Sequence, residues 1–138
     1  MTLIDKVRGL ASANPLFTYQ GPKIKEEVGN TMSCSYLPDD LNPQGCIMGA
    51  ALTEMGATRK MLESIEGNGV IVIFDEPQWG EITEELDEDD SRWLQLVQRA
   101  QDVGLRWEVA VTYADQMELD EFGGNPPPYA WAKERGLT

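Results

Sequence analysis

The chain reads as an α+β domain: four or five short helices packed around a small, mostly antiparallel sheet. Three observations predict it. Its 138 residues amount to about one domain. A hydrophobic share of 41% is enough for a packed core. Segments of helical period alternate with short apolar runs closed off by Gly, Pro and Asn. The compact domain is expected over residues 1–119, followed by a Gly/Pro-rich C-terminal tail over 120–138.

In order along the chain, residues 2–14 carry Leu3, Ile4, Val7, Leu10 and Ala11 on one helical face. Thr2 is the N-cap candidate, with Asp5 three residues on completing an acidic capping box. Pro15 stops that helix. Leu16–Tyr19, short and aromatic, suits a strand, and residues 20–30 read as a loop or irregular hairpin. Met32–Leu37 is a second strand candidate, and 38–45 a turn. Cys46–Met55 is a helix of small residues closed by Gly56, and Thr58 caps a short helix to Ile65. Val70–Phe74, VIVIF, is the most apolar run and is read as a strand, with Glu81–Thr83 returning beside it. Asp89 or Asp90 caps a helix over 91–103, closed by Gly104. Trp107, Ala110, Val111 and Ala114 mark a last helix to about Leu119. The tail, with Gly123, Gly124 and Pro126–Pro128, is expected to be extended, Tyr129 and Trp131 being its residues able to dock.

Charge narrows the function. There are 24 acidic and 11 basic residues, a net charge of −13, and no histidine. Nucleic acids and anionic membranes attract Lys and Arg, so direct binding to either is disfavoured and a basic protein partner is favoured. The absence of histidine removes imidazole bases, triads and ligands. No apolar run is long enough to span a bilayer, and the charged N-terminus has no apolar signal core, so a cytoplasmic location is expected. Cys34 and Cys46 are then two buried free thiols by default, a disulfide across the eleven intervening residues being the alternative. Nothing in the pattern sets an oligomeric state.

Several motifs stop short of a chemistry. VIVIFDEP, Val70–Pro77, resembles the acidic end of a nucleotide-hydrolase strand, but no GxxxxGK[ST] loop accompanies it. Asp40, Asn42, Gln44 and Gly45 imitate the start of a calcium loop whose twelfth position, normally Glu, is Ala51. Cys34 and Cys46 lack the further Cys or His ligands of a zinc site. Gly45-Cys46 opening a helix is a weak anion cradle, opposed by Asp39 and Asp40. No metal or cofactor is therefore expected.

The strongest feature is electrostatic. Met61–Ser91 contains eleven acidic residues and no basic one, and its sharpest part is EITEELDEDD, residues 81–90. Carboxylates this close face solvent, since burying an unpaired one is costly. Some of them serve the start of the following helix, where negative charge suits the dipole. The functional reading is a docking surface made of Glu81, Glu84, Glu85, Asp87, Glu88, Asp89 and Asp90.

A pattern runs through the chain as Asn14-Pro15 with Phe17 and Tyr19, then Cys34-x-Tyr36. It continues as Gly45-Cys46-x-x-Gly49-x-Ala51-Leu52 followed by Gly56, and as Trp93-Leu94 with Gln98, Gln101-Asp102-x-Gly104-x-x-Trp107 and Ala110-Val111. Over roughly residues 3–115 it resembles a group of short proteins of actinobacteria and their bacteriophages. The resemblance implies a bacteriophage-encoded protein acting in the host cytoplasm, and it carries no enzymatic activity. The resulting expectation is a non-enzymatic acidic protein that engages a host protein with a basic surface. Three alternatives stand beside it: a DNA mimic that inhibits a nucleic-acid-binding protein, a small enzyme using a carboxylate pair such as Asp75 and Glu76, and a structural protein of a virion or a regulatory subunit. Gln98, Gln101 and Asp102 are read structurally, as groups tying up free backbone at the Gly104 corner.

Overall fold

A computed structural model describes residues 1–20, 35–118 and 126–138. It is helical. Its elements are α1 (Leu3–Ala13), α2 (Ile47–Glu54), α3 (Arg59–Ile65), 3-10 helices Val70–Asp75 and Pro77–Trp79, α4 (Gly80–Thr83), α5 (Glu88–Asp102), α6 (Trp107–Glu118) and α7 (Pro128–Glu134). The expected α+β fold is corrected: among the described residues there is no strand, and an isolated antiparallel bridge joins Thr18 to Arg106.

Each misread strand has a local reason. Val70–Asp75 winds as a 3-10 helix, and its buried residues, Val70 and Ile73, are three apart, the period of that helix. Ile71 between them is exposed. β-branched residues favour a strand only where a neighbouring strand offers its backbone. Here the Val70 N–H is taken instead by the Gln98 side chain, 2.7 Å away. Glu81–Thr83 lies in α4, whose Ile82 is buried. Of Leu16–Tyr19, Leu16 lies in a turn, and the Pro15–Phe17 segment caps α6: the Phe17 and Pro15 carbonyls accept the Trp107 and Glu108 N–H groups at 2.9 and 3.2 Å. These are two of the amides a helix start leaves without partners. Of the Met32–Leu37 strand, Tyr36–Leu37 forms a bend and Ser35 no regular structure, and its remainder lies outside the described residues, as do residues 21–30 of the loop or hairpin expected over 20–30, and Cys34.

The helix boundaries follow their caps. Thr2 and Asp5 form the reciprocal capping box of α1. Thr58 caps α3 through its side chain. For α5 the cap is Asp87, not Asp89 or Asp90. Asp87 accepts the Asp90 N–H at 2.8 Å, and Asp90 accepts the Asp87 N–H at 3.1 Å. The helix therefore begins one turn earlier than the hydrophobic period suggests.

The longest helices, α5 and α6, form the principal interface, closed at their corner by Gly104 with φ +94. Trp93, Leu94, Val97 and Ala100 of α5 face Ala110, Tyr113 and Ala114 of α6 in one buried cluster. α1 lies on α2 and α6. Trp79, Trp93 and Trp107 are all buried. Each removes roughly 150–250 Å² from water, about 4–6 kcal/mol of burial. Residues 128–134, expected to be extended, form α7, which packs on α5 and α6. Trp131 meets Tyr113 edge-on at 5.4 Å, and the Tyr113 hydroxyl donates to the Pro126 carbonyl. Tyr129 stays exposed.

Candidate functional site

The seven carboxylates come from α4, the link after it and the first turn of α5. All but Asp90 are exposed, and Asp90 is half-buried. They do not share one role. Asp87 and Asp90 are bound to each other's backbone as the cap of α5. Among the described residues, Glu81, Glu84, Glu85, Glu88 and Asp89 have no ion pair and no side-chain hydrogen bond. Leu86 and Ile82 turn inward between them and hold the acidic segment to the body. The result is a solvated negative edge on packed elements, with two carboxylates committed to the backbone and five at liberty.

The residues that carry the family-like pattern build the interior instead. Gly49 lies against the carbonyl of Tyr36: a Cβ placed there would fall 2.1 Å from that oxygen. At Gly45, with φ +80, it would fall 2.8 Å from the same atom. The two glycines let the Tyr36 segment cross the start of α2. Cys46, buried and free, caps that helix by accepting the Gly49 N–H at its Sγ. The Ile47 N–H is held by Gln101 Oε1 at 2.8 Å. The amides of the supposed anion cradle are thus already occupied inside the protein.

Gln98 and Gln101, expected to tie up backbone at the Gly104 corner, bind segments far from it in sequence. Gln98 accepts the Val70 N–H and donates through Nε2 to the Tyr36 hydroxyl at 2.8 Å, which donates to the Asn68 carbonyl at 2.6 Å. Gln101 donates through Nε2 to Asp102 Oδ1 at 2.6 Å. Asp102 is buried, and loss of water pushes its pKa up to about 8 despite the Gln101 amide. One face of α5 thereby secures α2, the Tyr36 segment and the Val70 helix with side-chain amides.

Two further constellations escape a reading by spacing. Asn42, fully buried, exchanges two 2.8 Å bonds with the Gln20 backbone, and Asp39 holds its turn. This is the use of the apparent calcium-loop residue. Arg8, Asp115 and Trp93 form the other: Arg8 lies 4.6 Å from the Trp93 ring centroid, and Trp93 Nε1 donates to Asp115 at 2.8 Å. Burial raises the Asp115 carboxyl, but the Arg8 and Trp93 bonds and the Arg8 charge outweigh it and hold its pKa low. The available signal is a lone Asp beside the apolar Tyr113 and Ala114. Arg8 also borders a groove of about 420 Å³ with Ser12, Pro15, Glu108 and Val111, and none of the seven carboxylates lines it.

Asp75 ends the Val70 helix at the surface, and Glu76 accepts from Gln78 Nε2 at 2.9 Å. Among the described residues, no group of three or more His, Cys, Asp or Glu is arranged to hold a metal ion. No described helix is long and apolar enough to cross a membrane. Comparison with protein-family models, with curated proteins and with solved structures gives no match.

Proposed function

We propose that this chain is a non-enzymatic, bacteriophage-encoded binding protein that engages a basic surface of a host protein through Glu81–Asp90. One observation carries the reading: Glu81, Glu84, Glu85, Glu88 and Asp89 stand exposed on a well-packed edge without ion pair or hydrogen bond among the described residues. Such charges are fully available to a cationic partner, and their mutual repulsion falls when one binds. Bacteriophage origin and action in an actinobacterial cytoplasm rest on the sequence resemblance. The α5 cap reserves Asp87 and Asp90 for folding, so the docking surface consists of the other five carboxylates.

The test converts those five to Gln or Asn, leaves the capping pair intact, and compares capture from an actinobacterial lysate at low and high salt. The expected result is one partner, held by the parent at low salt, released at high salt and missed by the variant. The loss should be mainly in association rate, because exposed charges act over a Debye length of about 8–10 Å. A partner held equally by both proteins overturns the reading. If DNA competes for the captured partner, the surface acts as a DNA mimic.

A further inference from the structure

We propose that Asn68-Gly69 is a self-modification site, at which the folded protein loses the Asn68 side-chain amide and converts the residue to aspartate or isoaspartate. It is the only Asn-Gly pair in the chain. The reaction needs the Gly69 backbone nitrogen to attack the Asn68 side-chain carbonyl carbon, and three features leave that path open. Both residues are exposed. Gly69 has no side chain to shield its nitrogen, and among the described residues its N–H donates no hydrogen bond. The leaving amide nitrogen is held by one long bond, Nδ2 to the Glu66 carbonyl at 3.3 Å.

The chemistry balances without a cofactor. The Gly69 nitrogen loses its proton to solvent and bonds to the side-chain carbon; the C–N bond to Nδ2 breaks as that nitrogen takes a proton from solvent and departs as ammonia, leaving a five-membered succinimide. Water then opens the ring at either carbonyl. One opening yields aspartate with the main chain intact. The other yields isoaspartate, with one methylene moved into the main chain.

The position makes the two products unequal. The Asn68 carbonyl accepts from the Tyr36 hydroxyl, and two residues later the Val70 N–H is held by Gln98. Tyr36 and Gln98 are joined to each other in the core. An extra main-chain methylene between these anchors breaks their register, whereas plain aspartate keeps it. Either product adds a negative charge to the Met61–Ser91 stretch, which already lacks a basic residue.

The folded full-length protein is incubated in warm, mildly alkaline buffer beside the same chain unfolded in urea, and the peptide spanning 68–69 is followed by mass and chromatography. The expected result is a mass gain matching replacement of NH2 by OH, resolved as two isomers, in both samples. Gly69→Ala should reduce it to background. That variant keeps the fold, because a Cβ at position 69 meets only Gln98 Oε1, at an ordinary 3.7 Å. The isoaspartyl fraction should melt below fresh protein and the aspartyl fraction close to it. A folded peptide of unchanged mass while the unfolded chain converts overturns the proposal, as does Gly69→Ala converting at the parent's rate. An isoaspartyl fraction melting with fresh protein overturns the link to the core.

Discussion

Arg8 of α1 and Asp115 of α6 meet as a two-point fork, with Nη2 to Oδ1 at 2.8 Å and Nη1 to Oδ2 at 3.1 Å. The same Oδ1 accepts the Trp93 indole N–H, so one carboxylate joins three helices. The half-exposed ion pair contributes less than about 1 kcal/mol. The larger effect of Asp115→Ala is to leave a buried indole N–H without a partner, about 1–3 kcal/mol in urea unfolding. Arg8→Ala should cost less than Asp115→Ala. Because the Asp115 pKa is lowered on folding, its contribution is present above the unfolded value of about 3.9 and is lost as pH falls through the folded value.

Asp102 has the opposite sign. Its pKa is raised to about 8, so the folded protein holds a proton that the unfolded chain releases near pH 4. Stability from this group is complete below about pH 4 and is lost as pH rises to about 8, at up to about 1.4 kcal/mol per pH unit. Asn at this position keeps an acceptor for Gln101 and cannot ionise. The urea midpoint of Asp102→Asn should exceed the parent's by a margin that widens from pH 5 to pH 8. A constant margin would show that Asp102 is ionised in the fold.

Gly49 and Gly9 form a matched pair. A Cβ at Gly49 meets the Tyr36 carbonyl at 2.1 Å, a backbone atom with nowhere to go, whereas nothing lies within 4 Å of one at Gly9. Gly49→Ala should destabilise by about 3 kcal/mol or more, the upper end of overpacking. Gly9→Ala, inside α1, should stabilise by about 0.5–1 kcal/mol. Thermal melts of the two variants should move in opposite directions.

The cap of α5 is separable from its neighbours. Asp87→Ala should cost about 0.5–2 kcal/mol, and Asp89→Ala should stay within about 0.5 kcal/mol. Equal losses in chemical unfolding would place the cap elsewhere.

How much was legible depended on how local the signal was. The Thr2/Asp5 box and the Thr58 cap involve residues three apart and read directly. Trp93 and Trp107 sit on helical stripes and are buried as that period demands. The exposure of the acidic run follows from the cost of burying like charges. The cap of α5, expected at Asp89 or Asp90, lies at Asp87, because four acidic residues, Asp87–Asp90, crowd that helix start and backbone geometry chooses among them. VIVIF was misread for a different reason. An apolar run reports burial, while its backbone form depends on which partner takes its N–H groups, and that partner is Gln98, 28 residues away from Val70.

By itself, the sequence determined an acidic chain, the boundaries of α1, α2, α3 and α6, the burial of Trp93 and Trp107, and a negative edge over residues 81–90. All of these arise from periodicity, capping and charge, which act within a few residues of chain. Tertiary structure alone decided that no described segment forms a sheet and that residues 128–134 fold back as α7. It also decided that Gln98, Gln101 and the Gly45/Gly49 pair serve the interior. A buried amide N–H accepts whichever acceptor packing brings near, and here packing brought side chains of α5 and not another strand.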